Sequence, residues 1–413
     1  MVGQSSLTED VDALFACHPG MLADPYAVYH RLRTADPVYQ HGPVRLLTRY
    51  ADIAAVLRDP RFSSNRNQGS QRRAALDRVT EPTRTQMREM MDFTGLWMLM
   101  VDPPDHTRLR GLANRAFTAR RVDQMRERIQ QIVDTLLAPV AGVGAMDVIA
   151  DLAYPLPVIV IAELLGVPPD DRDRIRRWSD AAAIFIGSNF RNIAEMHQSV
   201  AEFRVYLHDI IAQRRATPGN DLLSAWVVAS DDGERLGEEE VLAMCVLLLA
   251  AGHETTTNLI GNGVLALLRH PDQLARLCAD PTLIGAAVEE VLRYDSPVQG
   301  TARIATTESV LGETAVQAGD TLVLLLGAAN RDPAQFAAPD RLDIGRRENK
   351  HLSFAHGPHF CLGAALARLE GQIVLGTLLR RCQNLHLAAE PVAWRENMLL
   401  RGLHTLPVTF TAM

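Results

Sequence analysis

The sequence predicts a mainly α-helical protein with a smaller β part. Helical periodicity dominates from about Asp102 to Tyr294. One apolar stretch within it, from about Glu238 to His270, is long enough to cross a whole domain. From about 298 to 326, alternating and β-branched residues are broken at Gly312 and at Gly319-Asp320, the pattern of short hairpins.

Taken in order, the elements begin with short strands at about 36–50. Val122–Leu137 is amphipathic, and so is Leu152–Leu165, which Pro168 and Pro169 stop. Glu238–His270 reads as one helix of roughly 50 Å, at about 1.5 Å per residue, ended by Pro271. Its middle is apolar on every face and so belongs in the interior. Gly252, Gly261 and Gly263 lie inside it, where glycine costs about 1 kcal/mol against alanine. That cost points to a kink or a close approach. A loop rich in Asn, Asp, Pro and Arg spans Asn330–Asn349. A last helix is expected over Leu362–Arg380, inside a second helical block at about 350–385. With no repeat and no Gly/Ser linker, residues 1–413 are expected to form a single domain.

Composition narrows the function. Apolar residues make up 47% and charged residues 22% of the chain, which excludes a wholly disordered protein. Lys and Arg number 42 against 49 Asp and Glu, which argues against nucleic acid as the main partner. The five cysteines are scattered, with no C-x-x-C pair, so a reducing cytoplasm fits better than a disulfide framework. The opening MVGQSSLTEDVDALF lacks a basic segment followed by an apolar one, and the apolar run Val241–Ala251 is too short to span a bilayer. No membrane association is expected.

The chemistry centres on Phe354-Ala355-His356-Gly357-Pro358-His359-Phe360-Cys361-Leu362-Gly363. Cys361 stands where a glycine-containing loop enters the last helix. Free N–H groups and the partial positive charge of a helix start favour thiolate. Gly357 and Gly363 let backbone approach a flat partner. A thiolate so placed suits a soft metal or a haem iron. A buried, inert cysteine is the plain alternative. Zinc on His356, His359 and Cys361 is a weaker one, because no fourth ligand lies at a usual spacing.

Phe354, Gly357, His359, Cys361 and Gly363 resemble the haem-binding signature of the cytochrome P-450 family, F-G-x-G-x-(H/R)-x-C-x-G, with Ala355 in place of a glycine. Three further motifs are similar to that family's. Ala251-Gly252-His253-Glu254-Thr255 matches (A/G)-G-x-(D/E)-T. Glu290-Val-Leu-Arg293 matches E-x-x-R. Pro339-Asp-Arg341-Leu matches P-x-R-(F/L). The resemblance covers the chain from about Ala23 onward. It implies the cytochrome P-450 fold, with the long helix over a haem held against the Cys361 loop and the last helix. Cys361 is then the proximal ligand of haem b. Gly252 leaves room for O2, Thr255 hydrogen-bonds it and Glu254 relays protons. Glu290, Arg293 and Arg341 form a structural triad. His106, Arg110, Arg303 and His359 meet the haem propionates.

The activity implied is that of a bacterial haem monooxygenase. It uses O2 and two externally supplied electrons to hydroxylate or epoxidise an apolar small molecule: a polyketide, terpenoid, steroid or fatty acid. A gas-sensing or docking haem-thiolate protein and a peroxide-driven oxygenase are the alternatives, and the intact Glu254-Thr255 pair argues against both. No cysteine cluster for an iron–sulfur centre is present. Electrons are therefore expected from a separate ferredoxin or flavodoxin with its reductase. Arg108, Arg110, Arg115, Arg120 and Arg121 crowd one segment and Arg368 lies on the last helix. Docking is expected near Arg115 and Arg121, steered by charge. The protein is expected to be a cytoplasmic monomer.

By the same resemblance, the pocket wall draws on Phe62–Val101, about Ala181–Ser199, Ala250–Gly252, Val298–Ala302 and the turn near Leu399–Leu403. Met87, Met90, Met91, Met98 and Met100 suggest an adaptable apolar pocket, with plain core packing as the other reading. Arg72 and Arg73 could meet a substrate carboxylate, though surface exposure is the simpler assignment.

Overall fold

An uninterrupted helix, Glu238–Arg269, realises the long apolar stretch. Three glutamates in its first turn complement the helix dipole, and Pro271 starts the next helix after His270 breaks the run. In this computed structural model the structure describes residues 6–69, 75–187, 193–228, 230–231, 234–388 and 391–412. Arg72, Arg73 and part of the expected 181–199 pocket wall lie outside the described residues. The chain divides into two compact units.

The first unit gathers Met1–Phe62, Met125–Leu156 and Thr255–Met413. Its main sheet runs Val38–His41, Val44–Leu47, Thr321–Leu324, Thr301–Ala305, with Phe62 at the far edge. Thr321–Leu324 lies parallel to Val44–Leu47 and antiparallel to Thr301–Ala305, which sets Arg303 opposite Leu322. Leu47, Ile53, Val56, Leu322 and Leu324 form the core beneath it. Gly312 closes a hairpin between Ser309–Leu311 and Thr314–Val316. Gly319, at φ +90°, closes no second one. It bends the chain so that the next strand pairs back with Thr301–Ala305.

The same unit holds the helices Arg126–Ala141, Ile284–Tyr294 and Ala364–Arg381. The expected Val122–Leu137 helix is broken at Met125 into two pieces, Ala119–Gln124 and Arg126–Ala141. Ahead of Pro155–Leu164 the chain makes a π-helical turn, Val148–Ala153, and Thr257 Oγ1 donates to Ala153 O at 3.0 Å. The sequence periodicity reads through this turn because its residues are apolar on the correct side.

The second unit comprises Ser63–Gln124 and Pro157–Glu254 and is almost wholly helical. Asp105–Ala116, Arg172–Gly187 and Ile193–Ala216 are its principal helices besides the start of the long one. Trp178, Phe203 and Tyr206 pack together, with Arg174 over the rings of Trp178 and Tyr206. Met87, Met90, Met98 and Met100 are buried and Met91 is half-buried. Four of the five methionines therefore pack in the core. Among the described residues, no helix is long and apolar enough to cross a membrane.

Candidate active site: the Cys361 loop and the long helix

Cys361 sits just ahead of the helix Ala364–Arg381, half-buried, in a loop whose path is set by glycine geometry. Its N–H donates to Phe354 O at 2.9 Å and closes the loop on itself. Gly357 has φ +71°, and a Cβ there would lie 2.6 Å from Leu57 O, so no other residue fits. A Cβ on Gly363 would meet nothing nearer than Cys361 Sγ at 4.0 Å, so the chain beside the sulfur is bare. Ala355 itself adopts φ +57°, a conformation that glycine takes freely and alanine resists.

A buried chain of polar contacts carries this loop. Arg293 donates from Nε and Nη2 to the two oxygens of Glu290, both at 2.8 Å, and neither residue is exposed. Its Nη1 donates to Asn330 O at 3.0 Å. Asn330 in turn accepts from Leu352 N at 2.7 Å and donates to Ser353 Oγ at 2.8 Å. Ser353 Oγ donates to Leu292 O at 2.6 Å, which ties the segment leading to Phe354 back onto the helix of Glu290. Four letters of sequence thus hold the Cys361 loop through an asparagine that carries no motif.

The third member of the triad is Arg346, not Arg341. Arg346 Nε donates to Glu290 Oε2 at 3.1 Å, and Asn349 and the Asp343 N–H complete the carboxylate's shell. Arg341 turns its carbonyl toward Arg293 Nη2, at 3.0 Å, and sends its own side chain to solvent. The backbone at 341 thus occupies the place its guanidinium was expected to take.

On the long helix, Leu248, Ala251, Gly252 and Thr255 are the positions not fully buried between Val241 and Leu267. Their spacing of three, one and three residues makes one stripe along the helix. His253 and Glu254 fall on the buried side, and Ser179 Oγ meets His253 Nδ1 at 3.1 Å while donating to Leu249 O. A Cβ at Gly252 would lie 2.6 Å from Ile161 Cδ1, so on that side the missing side chain makes room for Ile161.

His106 is buried in the first turn of Asp105–Ala116, with Arg110 half-buried one turn on and on the same face. In the other unit, Arg303 is buried on its strand and donates to Ala302 O at 2.8 Å, and His359 ends the short turn Gly357–His359. Several of the arginines expected at a docking face have local partners. Arg108 pairs with Glu240, Arg121 Nη2 donates to Asn220 O at 3.0 Å, and Arg368 forks onto Glu289. Arg115 and Arg120 are exposed.

The donor set suits a haem better than a bare ion. Among the described residues no cluster of three or more His, Cys, Asp or Glu side chains is placed to hold a metal. His356 is turned to Arg58, and burial together with that guanidinium lowers its pKa. What remains is one sulfur at a helix start, a bare glycine loop beside it, and a separate helix with a small-residue stripe.

A profile described as Cytochrome P450 matches residues 176–400. The chain is 44% identical to Cytochrome P450 107B1 of Saccharopolyspora erythraea, over 97% of this chain and 98% of that protein. This chain belongs to the cytochrome P450 family. It is also 43% identical to a vitamin D(3) 25-hydroxylase of Pseudonocardia autotrophica, over 94% of each chain. Among solved structures it superposes with a TM-score of 0.87 on P450BioI in complex with an acyl carrier protein bearing hexadec-9Z-enoic acid. That match has 40% identity and covers 95% of this chain and 99% of that one. The protein is accordingly a haem-dependent monooxygenase that oxidises apolar small molecules with O2 and electrons from redox partners.

Proposed function

We propose that Cys361 is the proximal ligand of haem b and that the Cys361 loop, closed by Gly357 and the Phe354 carbonyl, is the observation that carries this assignment. When bound, the haem supplies the oxidising power that inserts one oxygen atom of O2 into a C–H or C=C bond. Phe354, Gly357 and Gly363 shape the loop that presents the sulfur. The helix start at Gly363 favours the thiolate. His106, Arg110, Arg303 and His359 supply the cations and donors that two propionates require. Thr255, on the open stripe, holds a hydrogen bond at its Oγ1, and Glu254 passes protons from solvent. Ala251 borders the same stripe, whereas Gly252 serves close packing against Ile161. Glu290, Arg293 and Arg346 keep the loop in register.

The intact Glu254-Thr255 pair supports oxygenation over gas sensing or peroxide-driven chemistry. The substrate is a polyketide, terpenoid, steroid or fatty acid, a range to which the vitamin D(3) 25-hydroxylase and the complex with a hexadec-9Z-enoic acid-bearing acyl carrier protein among the relatives lend weight. A ferredoxin or flavodoxin docks near Arg115 and Arg121. The chain acts as a monomeric, cytoplasmic, single functional domain.

The absorption spectrum of the reduced protein under carbon monoxide tests the ligand assignment. A strongly red-shifted Soret band that Cys361→Ser abolishes is expected, and a band typical of histidine ligation would overturn it. Turnover with a ferredoxin should weaken with salt and on Arg115→Glu; salt-independent turnover would remove the docking assignment. A spectral-shift screen over the four compound classes tests the substrate reading, which fails if only polar compounds bind.

A further inference from the structure

Glu289 and Arg368 form a pair that the family motifs do not call for. Arg368 donates from Nε and Nη2 to the two oxygens of Glu289, at 2.6 and 2.9 Å. His351 Nε2 lies 3.1 Å from the same carboxylate. The Arg368 guanidinium carbon sits 4.5 Å from the centroid of the Phe354 ring, and the His351 ring lies 5.9 Å from it. The Phe354 carbonyl accepts the Cys361 N–H. Arg368 stands seven residues beyond Cys361, in the second turn of the helix that starts at Ala364, about 6 Å along its axis from that start at about 1.5 Å per residue. One carboxylate therefore gathers both polar side chains that flank the ring next to the ligand.

Resting on the assignment of Cys361 as haem ligand, we propose that Glu289 and Arg368 are positioning residues that set the electron-donating strength of the Cys361 sulfur. Arg368 holds the Phe354 ring by cation–π contact and places a positive charge near the thiolate, and Glu289 balances that charge. Burial alone would raise the Glu289 carboxyl, but hydrogen bonds from Arg368 and His351 hold it at about 2, so it stays ionised at any working pH. The pair is close to neutral only while both members are present. Removing Glu289 leaves a cation that favours the more negative, reduced centre. Removing Arg368 leaves an anion that disfavours it.

The experiment is a reduction titration of the holoenzyme, with the carbon monoxide spectrum of each variant recorded beside it. Glu289→Gln should raise the midpoint potential and Arg368→Gln should lower it. Each should change the reduced-to-oxidised ratio at fixed potential about threefold, or about 28 mV at about 59 mV per tenfold for one electron. The double glutamine variant should return close to the wild type. Shifts of the same sign, or no shift, would overturn the proposal, because mere loosening of the loop moves both variants one way. Should the glutamine variants lose haem, the exchange Glu289→Arg with Arg368→Glu keeps a pair but inverts the charge over Phe354. Its potential should fall, and an unchanged value would overturn the proposal. A wild-type spectrum without thiolate character would instead strike the ligand assignment itself.

Discussion

Glu370 lies in the helix that follows Cys361, only 1% exposed, and its Oε2 has no hydrogen-bond partner. Its helix neighbours Leu369, Ile373 and Val374 are buried, and Leu259 and Val288 pack against the adjacent Gly371. An ionised carboxylate there would lose its hydration with nothing in return, so burial pushes its pKa up to about 8. The unfolded chain titrates near an ordinary glutamate value of about 4.3. Between those two values the folded protein holds a proton that the unfolded chain has lost. Stability therefore falls as pH rises through this window, by up to about 1.4 kcal/mol per unit, and levels off above the folded value. From pH 5.5 to 7.5 this one group removes about 3 kcal/mol. Glu370→Gln abolishes the titration and nearly preserves the shape. Its stability relative to the wild type should therefore rise by about that amount over the same interval. Glu289, whose pKa is depressed, is ionised in folded and unfolded chains alike across most of this interval and adds little slope. Urea midpoints followed by circular dichroism at pH 5.5, 6.5 and 7.5 provide the assay. If wild type and variant run in parallel, Glu370 is ionised or partnered in the fold and the reasoning is wrong.

Three other substitutions bear on the site. Arg346→Leu should destabilise by about 3 kcal/mol, because it strips a cation from a buried carboxylate, whereas Arg341→Ala should change stability by less than about 0.5 kcal/mol; thermal melting of both separates the two assignments. Ala355→Gly should stabilise by about 1 kcal/mol by relieving the left-handed backbone at φ +57°, and a lower melting temperature would contradict that. Gly252→Ala should change stability by less than about 1 kcal/mol, because the gain of about 1 kcal/mol from alanine in the helix interior offsets the shift forced on the tip of Ile161, and Ile161→Val in the same chain should leave that gain visible; purely additive effects in that double-mutant cycle would show that the two residues do not touch.

Much of the site is legible along the chain because its signals are local. The order of Phe354, Gly357, Cys361 and Gly363 depends on backbone freedom within ten residues. The stripe of Ala251 and Thr255 follows from helical pitch, and so does the pairing of Glu290 with Arg293 at three residues' spacing. The long helix is marked by its length and apolarity. Asn330, Ser353 and Arg346 are not legible in this way, since what recruits them is the path of a loop that returns from elsewhere in the chain. Glu289 and Arg368 look like ordinary surface charges when only their neighbours in sequence are considered.

The sequence by itself determined the class of the fold, the glycine-bounded Cys361 loop and the helix that carries Thr255, because periodicity, glycine geometry and short-range spacing are properties of a continuous chain. Only the tertiary structure decided which arginine reaches Glu290, that Ile161 fills the space beside Gly252, and that four of five methionines pack in the core. The reason is physical. A side chain's partner across space depends on how distant segments pack, and close packing selects among candidates that look equivalent along the chain.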